Sequence, residues 1–309
     1  MPVMKTLSSP GHTGLNPAPC ARSERRGTSL MVGGGLLLGT LGVFVEEAAQ
    51  HPLTTVLFRC FFGALALLLW GHLNRRLPEL ALRGRTLLVA IAAGVLMVAN
   101  WGLFFAAIPL TSVGIATVAF HVQPFWVMAM GIWLLGERIS PRRALAVVAA
   151  LIGLALATGL LDGAATGRAD TDDYLLGLSL CLAGSLAYAA VTLIAKLAPA
   201  ISSFALAWWQ CAVGVLLTAW WPLWHGWPAA GPAWAWLAGL GFIHTGLAYA
   251  LLYAGMARLP TSRIALLQFV YPTTAILVDW ALYDNPLSPL QAAGVLLLCL
   301  ALWTVRRER

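Results

Sequence analysis

The chain alternates long apolar runs with short polar segments along almost its whole length. Most runs approach the roughly 20 residues that a helix needs to cross a hydrocarbon core of about 30 Å. Because unpaired backbone groups are costly in lipid, the runs should be helices. The pattern therefore predicts ten transmembrane helices, near residues 29–46, 52–72, 86–107, 112–135, 142–160, 174–196, 202–224, 233–256, 262–282 and 288–305.

The composition is that of a membrane protein. Hydrophobic residues make up 60% of the chain and charged residues 10%, whereas soluble domains are about half apolar and about a quarter charged. The net charge of +7 arises mainly from short basic clusters at the ends of apolar runs. Such clusters are typical of membrane topology and not of a nucleic-acid interface. Membrane lipids are therefore the expected surroundings, and no nucleic-acid partner is predicted.

The positive charges also predict an orientation. Arginine and lysine gather near the N-terminus, at 75–85, 138–143 and 258–263, and at the C-terminus, all on one predicted side, whereas the other side carries only Arg168. Short positive loops are retained in the cytoplasm. Both termini are therefore predicted to be cytoplasmic, in a plasma membrane that would be the inner membrane of a bacterium. No signal peptide is expected, because the N-terminal segment lacks an apolar core.

The sequence divides into two related halves. At one fixed offset Pro124 matches Pro272, Trp101 matches Tyr249, and the Ser-Pro pair at 140–141 recurs at 288–289. Five helices per half is an odd number, so the second half should enter the membrane in the opposite orientation, as an inverted repeat. We therefore predict an all-α membrane protein with a cytoplasmic N-terminal tail at 1–28, a first repeat at 29–160, an external linker at 161–173, a second repeat at 174–305 and a cytoplasmic C-terminus at 306–309.

One stretch carries a family resemblance. It runs from Pro109 through Pro124 to the Gly-Glu-Arg-Ile-Ser segment at 136–140, and its second copy runs from Leu259 through Pro272 to Ser288. The chain resembles the drug/metabolite transporter superfamily, in the ten-helix form with two EamA-type domains. Within it, the chain is most similar to bacterial aromatic amino-acid exporters of the YddG type. The second copy departs from the pattern, with Asp284-Asn285 where the family often has Gly-Glu.

Polar and aromatic residues inside the predicted spans indicate a translocation path, because polar groups in a membrane are costly and usually face the bundle interior. Aromatic ladders fall on single helix faces in the third and eighth spans, and a polar stripe follows the ninth. Interhelical hydrogen bonding and bundle packing are the alternative interpretations. The predicted substrate-binding residues are Asn100, Trp101, His121, Gln123, Tyr249, Tyr253, Gln268 and Tyr271.

Four further residues have predicted roles in charge or movement. Arg59 either extends outward to the membrane surface or supplies positive charge to a substrate carboxylate. Asp279 is the other candidate for a charge or coupling role. Pro124 and Pro272 lie in the middle of helices, where proline removes a backbone hydrogen bond and favours a kink. They are predicted to be hinges for alternating access.

Other functional classes find no support in the residues. The chain has no G-x-x-x-x-G-K-[ST], no H-E-x-x-H and no G-x-S-x-G, and its cysteines lack metal-type spacing. No enzyme activity, cofactor, metal or obligatory ATPase subunit is predicted. The resemblance and the aromatic ladders together predict a secondary transporter that exports aromatic and other neutral amino acids through a central cavity. The alternatives are a proton-coupled exporter of drugs or organic cations and, more remotely, a membrane assembly protein.

Overall fold

The fold was analysed in a computed structural model that describes residues 21–111, 113–158, 171–282 and 287–307. These residues form ten helical segments joined by short connections and contain no strand. The segments are α1 (Ala21–Gly39 and Leu41–Ala48), α2 (Pro52–Leu73), α3 (Gly84–Ala107), α4 (Val113–Phe120 and Gln123–Leu135), α5 (Pro141–Ala157), α6 (Thr171–Leu197), α7 (Ser203–Thr218 and Trp220–His225), α8 (Ala233–Gly239, Leu240–Leu247 and Ala248–Met256), α9 (Thr261–Leu267 and Val270–Leu282) and α10 (Pro289–Arg307).

The number of helices confirms the prediction, and eight of the ten are long and apolar enough to cross a membrane. The other two are α5, which has 17 residues, and α10, whose apolar part is Pro289–Thr304. The described part of the first helix begins at Ala21, inside the predicted tail 1–28, and Glu24 in its first turn pairs with Arg263. Most of the predicted external linker at 161–173 and the Asp284-Asn285 pair lie outside the described residues.

Helices α5 and α10 begin in the same way. The Ser140 hydroxyl accepts a hydrogen bond from the backbone N–H of Arg143, and the Ser288 hydroxyl accepts one from the backbone N–H of Gln291, at 3.4 and 3.2 Å. Each serine is followed by proline, which tolerates the first helical position because no intrahelical partner is lost there. The Ser-Pro pair recognised twice in the sequence thus has one structural role in both halves.

The matched prolines lie beside matched breaks. Helix α4 is interrupted at His121 and Val122, and α9 is interrupted at Gln268 and Phe269. Pro124 stands in the first turn after the first break and Pro272 in the first turn after the second. Proline has no N–H and clashes with the carbonyl of the preceding turn, so a continuous helix is disfavoured at both places.

Helix packing repeats between the halves. Helix α2 packs on α7, α4 on α9, and α5 on α10. The remaining major contacts occur as pairs: α3 packs on α6 as α8 packs on α1, α4 packs on α6 as α9 packs on α1, and α2 packs on α8 as α7 packs on α3. Helices α1 to α5 of the first half correspond to α6 to α10 of the second. Replacing every helix by its corresponding helix converts each of these contacts into the other member of its pair. The two halves are therefore repeated units that interleave.

Helices α5 and α10 cross with their backbones in contact. A Cβ atom on Gly153 would lie 2.9 Å from the carbonyl oxygen of Gly294, and one on Gly294 would lie 2.5 Å from the backbone nitrogen of Ala157. Small residues permit this close approach, which is a frequent way of joining helices in membranes.

Most of the basic connections meet at one end of the bundle, which we call the arginine face. It contains the connections after α2, α4, α6 and α8, at residues 74–83, 136–140, 198–202 and 257–260. Three ion pairs are found at this end: Arg76 with Glu79, Lys196 with Glu137, and Arg263 with Glu24.

Candidate substrate-binding site

A widened turn in α8 shapes the centre of the bundle. Residues Leu240–Leu247 form a π-helix, in which each backbone hydrogen bond spans five residues. The Thr245 hydroxyl follows the same spacing, donating to the carbonyl of Leu240 at 3.0 Å. A Cβ atom on Gly63 would lie 2.9 Å from the Thr245 methyl group. Glycine in α2 therefore lets the widened turn bring Thr245 against that helix.

Arg59 of α2 is buried beside this turn, with 5% of its surface exposed. Its Nε–H donates to the Thr245 hydroxyl at 3.1 Å, and its guanidinium carbon lies 4.3 Å from the centroid of the Trp101 ring. That position over an aromatic face is favourable for a cation. The Nη2 atom is buried and has no hydrogen-bond partner among the described residues. The interior position rules out the alternative in which Arg59 extends to the membrane surface.

A small cavity lies beside residues that contact the guanidinium. Its volume is about 10 Å³, measured as the space open to the centre of a water-sized sphere, which is room for about one water molecule. Arg59 contacts two of the wall residues, Thr245 and Trp101. The full wall consists of Trp101 from α3, Ala207, Gln210 and Cys211 from α7, and Thr245 and Tyr249 from α8. This volume is too small for a molecule much larger than water.

Aromatic rings continue from the cavity along α8. The Trp101 and Tyr249 rings meet edge to face with centroids 6.4 Å apart, and those of Tyr249 and Tyr253 are 5.7 Å apart. The Tyr253 hydroxyl donates to Oε1 of Gln210. The amide nitrogen of Gln210 is buried and has no hydrogen-bond partner in the described part of the chain.

A second aromatic group lies at the breaks of α4 and α9. His121 is buried, and its ring centroid is 6.1 Å from that of Tyr271 and 6.1 Å from that of Phe269. Its Nδ1 lies 2.7 Å from the carbonyl of Thr117. Since a carbonyl only accepts, Nδ1 carries the proton and Nε2 is the accepting nitrogen of the neutral ring. Tyr271 also packs against the buried cluster that contains Tyr249 and Tyr253, so both aromatic groups border one central region.

The helices that flank this region are closed at the arginine face. The segment Gln123–Leu135 of α4 packs on Thr261–Leu267 of α9, so closely that a Cβ atom on Gly131 would lie 2.1 Å from the Thr261 hydroxyl. The counterpart pair, Val113–Phe120 with Val270–Leu282, makes no comparable contact within the described residues. The packing of α4 on α9 is therefore concentrated at one end.

Comparison with known proteins identifies the chain. A model of the EamA-like transporter family matches residues 25–159 and 175–307. The chain belongs to the EamA-like transporter family. It is 25% identical over 299 residues to the uncharacterized transporter YxxF of Bacillus subtilis (strain 168), covering 94% of each chain. It is 28% identical over 274 residues to an uncharacterized transporter of Archaeoglobus fulgidus, covering 88% of this chain and 93% of the other.

The fold is also found among solved structures. One crystal structure superposes with a TM-score of 0.78 at 20% identity, covering 92% of this chain and 99% of the other. At that identity the match shows the fold alone. Together these matches make the chain a multi-pass membrane transporter of the EamA family and not an enzyme. The small-molecule substrate that a transporter implies is not identified by them.

Only some of the residues predicted from the sequence meet in this EamA protein. Trp101 and Tyr249 are part of the cavity wall, and Tyr253 is linked to the wall by its hydrogen bond to Gln210. Asn100 instead donates to the backbone carbonyl of Gly184 at 3.1 Å and so ties α3 to α6.

The two predicted glutamines at the helix breaks are incompletely bonded. Gln123 is buried and its Nε2 has no hydrogen-bond partner within the described part of the chain. Gln268 donates to the Thr192 hydroxyl at 3.4 Å, while its buried Oε1 has no partner there. Asp279 has an exposed side chain on α9 and does not reach the cavity.

The sequence analysis missed two residues. Gln210 was overlooked because all the predicted substrate-binding residues came from the third, fourth, eighth and ninth spans, whereas α7 supplies part of the cavity wall. The same rule on intramembrane polar residues, applied to α7, would have found it. Tyr188 of α6 is the second; it packs against the buried cluster that contains Tyr249, and its ring lies 6.5 Å from that of Phe120.

Proposed function

We propose that this EamA protein is a secondary transporter of small amphipathic zwitterions, chiefly aromatic amino acids, and that it exports them. The observation that carries the proposal is the cavity wall, where the rings of Trp101 and Tyr249 lie close to buried donor nitrogens of Gln210 and Arg59 that have no hydrogen-bond partner among the described residues. Aromatic rings suit a ring-bearing substrate, and polar donors suit its charged groups. The resemblance of the sequence to aromatic amino-acid exporters of the YddG type supports the same substrate class. It is the only basis for proposing export as the direction of transport.

We further propose that the repeated halves, at 29–160 and 174–305, are inverted with respect to each other. All ten helices then cross a bacterial inner membrane, with both termini in the cytoplasm and the 161–173 linker outside. At about 1.5 Å per residue, the 17 residues of α5 span close to the lower limit for crossing. The arginine clusters support this orientation through the retention of positive loops in the cytoplasm.

The transport cycle in this proposal is alternating access. Helices α4 and α9 separate at the arginine face while their opposite ends approach, and the breaks beside Pro124 and Pro272 act as the hinges. The uneven packing of α4 on α9 supports a conformation closed toward the cytoplasm. His121, Gln123, Gln268 and Tyr271 stand at these breaks, where a moving substrate would pass.

Uptake into proteoliposomes tests the substrate class. We expect saturable uptake of phenylalanine and tryptophan, and little uptake of a sugar phosphate or a quaternary ammonium ion. Trp101→Ala should weaken phenylalanine binding by between about twofold and about tenfold, from the worth of one aromatic contact. Trp133→Ala is the matched control, since Trp133 is 82% exposed on α4. A preference for the sugar phosphate or the quaternary ammonium ion would contradict the proposal, and the latter would instead favour an organic-cation exporter.

A further inference from the structure

We infer that Arg59 and Gln210 form the subsite that holds the carboxylate of the transported molecule, an inference that rests on the proposed function for the identity of its ligand. Both side chains are at least nine-tenths buried, at 5% and 4% exposed. Each has a buried nitrogen without a hydrogen-bond partner among the described residues, Nη2 of Arg59 and Nε2 of Gln210. Both atoms are donors only, so the missing partner is an acceptor.

One donor lines the cavity, and the other lies behind its wall. Gln210 is part of its wall, and Arg59 contacts the wall residues Thr245 and Trp101. The neighbouring residues fix both donors, because the Thr245 hydroxyl holds Nε of Arg59 and the Tyr253 hydroxyl donates to Oε1 of Gln210. Nη2 of Arg59 and Nε2 of Gln210 are left without a hydrogen-bond partner among the described residues. In a conformation with a larger cavity, an entering ligand would meet donors that are already oriented.

The charge on Arg59 determines which acceptor fits. A buried cation without a counter-charge is costly, and none of the three ion pairs at the arginine face includes Arg59. Among the described residues, no hydrogen bond or ion pair joins Arg59 to a carboxyl group. A carboxylate supplies both the negative charge and the acceptor oxygens, and charge-assisted hydrogen bonds to guanidinium are the strong ones.

The same arrangement disfavours organic cations. A quaternary ammonium ion has no acceptor for Nη2 or Nε2 and would bring a second positive charge next to Arg59. A zwitterion instead presents its carboxylate to Arg59, while its ring can stack on the aromatic side chains of the wall. The amino group would then be free to face Gln268, whose buried Oε1 is an acceptor without a partner among the described residues.

Three ligands that differ by one group at a time separate the contributions of the carboxylate and the amine to binding. Phenylalanine has a ring, a carboxylate and an amine; hydrocinnamate lacks the amine; and phenethylamine lacks the carboxylate. Calorimetry on the purified protein should detect binding of phenylalanine and hydrocinnamate. In Arg59→Gln both affinities should fall by at least about 30-fold, the typical effect of removing one partner of a buried charge pair. Gln210→Leu should weaken the same two ligands, and neither variant should weaken phenethylamine.

Two controls separate a binding role from a structural one. Arg85→Gln removes an exposed arginine at the start of α3 and should leave all three affinities unchanged. In Arg59→Met the ligand-free protein should melt at the same temperature as wild type or higher, because a buried charge without a counter-ion is removed. A lower melting temperature together with unchanged hydrocinnamate affinity would overturn the inference and assign Arg59 a structural role.

The outcomes also separate this inference from the proposed function. Hydrocinnamate binding that requires Arg59, in a protein that transports no aromatic amino acid, would support the carboxylate subsite and contradict the proposed substrate. Transport of phenylalanine that is unaffected by Arg59→Gln would support the proposed function and overturn the subsite. Absence of any carboxylate binding by the wild-type protein would also overturn it.

Discussion

Glu137, which follows α4, accepts hydrogen bonds from both the backbone N–H and the hydroxyl of Thr261, the first residue of α9. Its other carboxylate oxygen accepts a hydrogen bond from Lys196 at the end of α6. An anion is well placed at a helix N-terminus, where backbone N–H groups have no partner within the helix. One carboxylate thus ties three helices at the arginine face and joins the first half to the second.

Neutralising this carboxylate should destabilise the protein. We expect Glu137→Gln to lower the free energy of unfolding by about 1.5–3 kcal/mol, the worth of hydrogen bonds to a charged group. The matched control is Glu79→Gln, since Glu79 pairs with Arg76 in a more exposed position, where the side chains are 33% and 39% exposed. That change should cost less than about 1 kcal/mol. Melting temperatures in detergent compare the two variants. An equal decrease in melting temperature would contradict a larger stabilising contribution from Glu137 than from Glu79.

The contribution of Glu137 should also depend on pH. Burial by itself raises the pKa of this carboxyl, but hydrogen bonds from Lys196 and Thr261 outweigh it, so the net pKa lies below the ordinary value of 4.5. A pKa that is lower in the folded state gives stabilisation that is complete above the unfolded value and is lost as the pH falls through the folded one. The difference in melting temperature between wild type and Glu137→Gln should therefore shrink below about pH 4.5. A difference in melting temperature that increases as the pH falls would contradict a lowered pKa of Glu137 in the folded protein.

The crossing of α5 and α10 should not tolerate a side chain. Gly294→Ala places a Cβ atom 2.5 Å from the backbone nitrogen of Ala157, and relieving such overlap costs about 1–3 kcal/mol. Gly33→Ala is the control, because a Cβ atom on Gly33 in α1 would have no heavy atom within 4 Å. Alanine favours a helix over glycine by up to about 1 kcal/mol, so this change should be neutral or stabilising. Equal melting temperatures for the two variants would contradict the close crossing.

The proposed orientation predicts which connections face outward. Ala81, on the arginine face, and Ala230, in the connection between α7 and α8, are both exposed. In a background lacking the five native cysteines, an impermeant maleimide added to intact cells should label Ala230→Cys and not Ala81→Cys. The reverse labelling would overturn the orientation derived from the arginine clusters.

Sequence patterns predicted the helices well because length and hydropathy are local properties. The breaks in α4 and α9 were also accessible from the sequence, since Pro124 and Pro272 impose them through backbone chemistry. The start of α1 was not predicted. Glu24 in its first turn pairs with Arg263, which is distant in sequence. Contacts of that kind do not appear in the pattern of one helix.

The candidate site was predicted only in part for a related reason. Helical spacing placed Trp101, Tyr249 and Tyr253 on interior faces, but it could not identify their partners. Tyr253 is bonded to Gln210, and Asn100 is bonded to a backbone carbonyl of α6. The widened turn that brings Thr245 against α2 is a π-helix, which the spacing of a regular helix does not predict.

Substrate protection of Cys211 tests the central claim, that the substrate path passes through the cavity beside Arg59. Cys211 is part of the cavity wall, whereas the buried Cys60 is outside the wall and serves as the control. Each would be kept as the sole cysteine, in proteoliposomes treated with N-ethylmaleimide. If Cys211 is modified only in the unoccupied protein, phenylalanine at ten times its Kd should slow its modification about tenfold, while Cys60 is unaffected. Unchanged modification of Cys211, or equal slowing at both cysteines, would contradict the account.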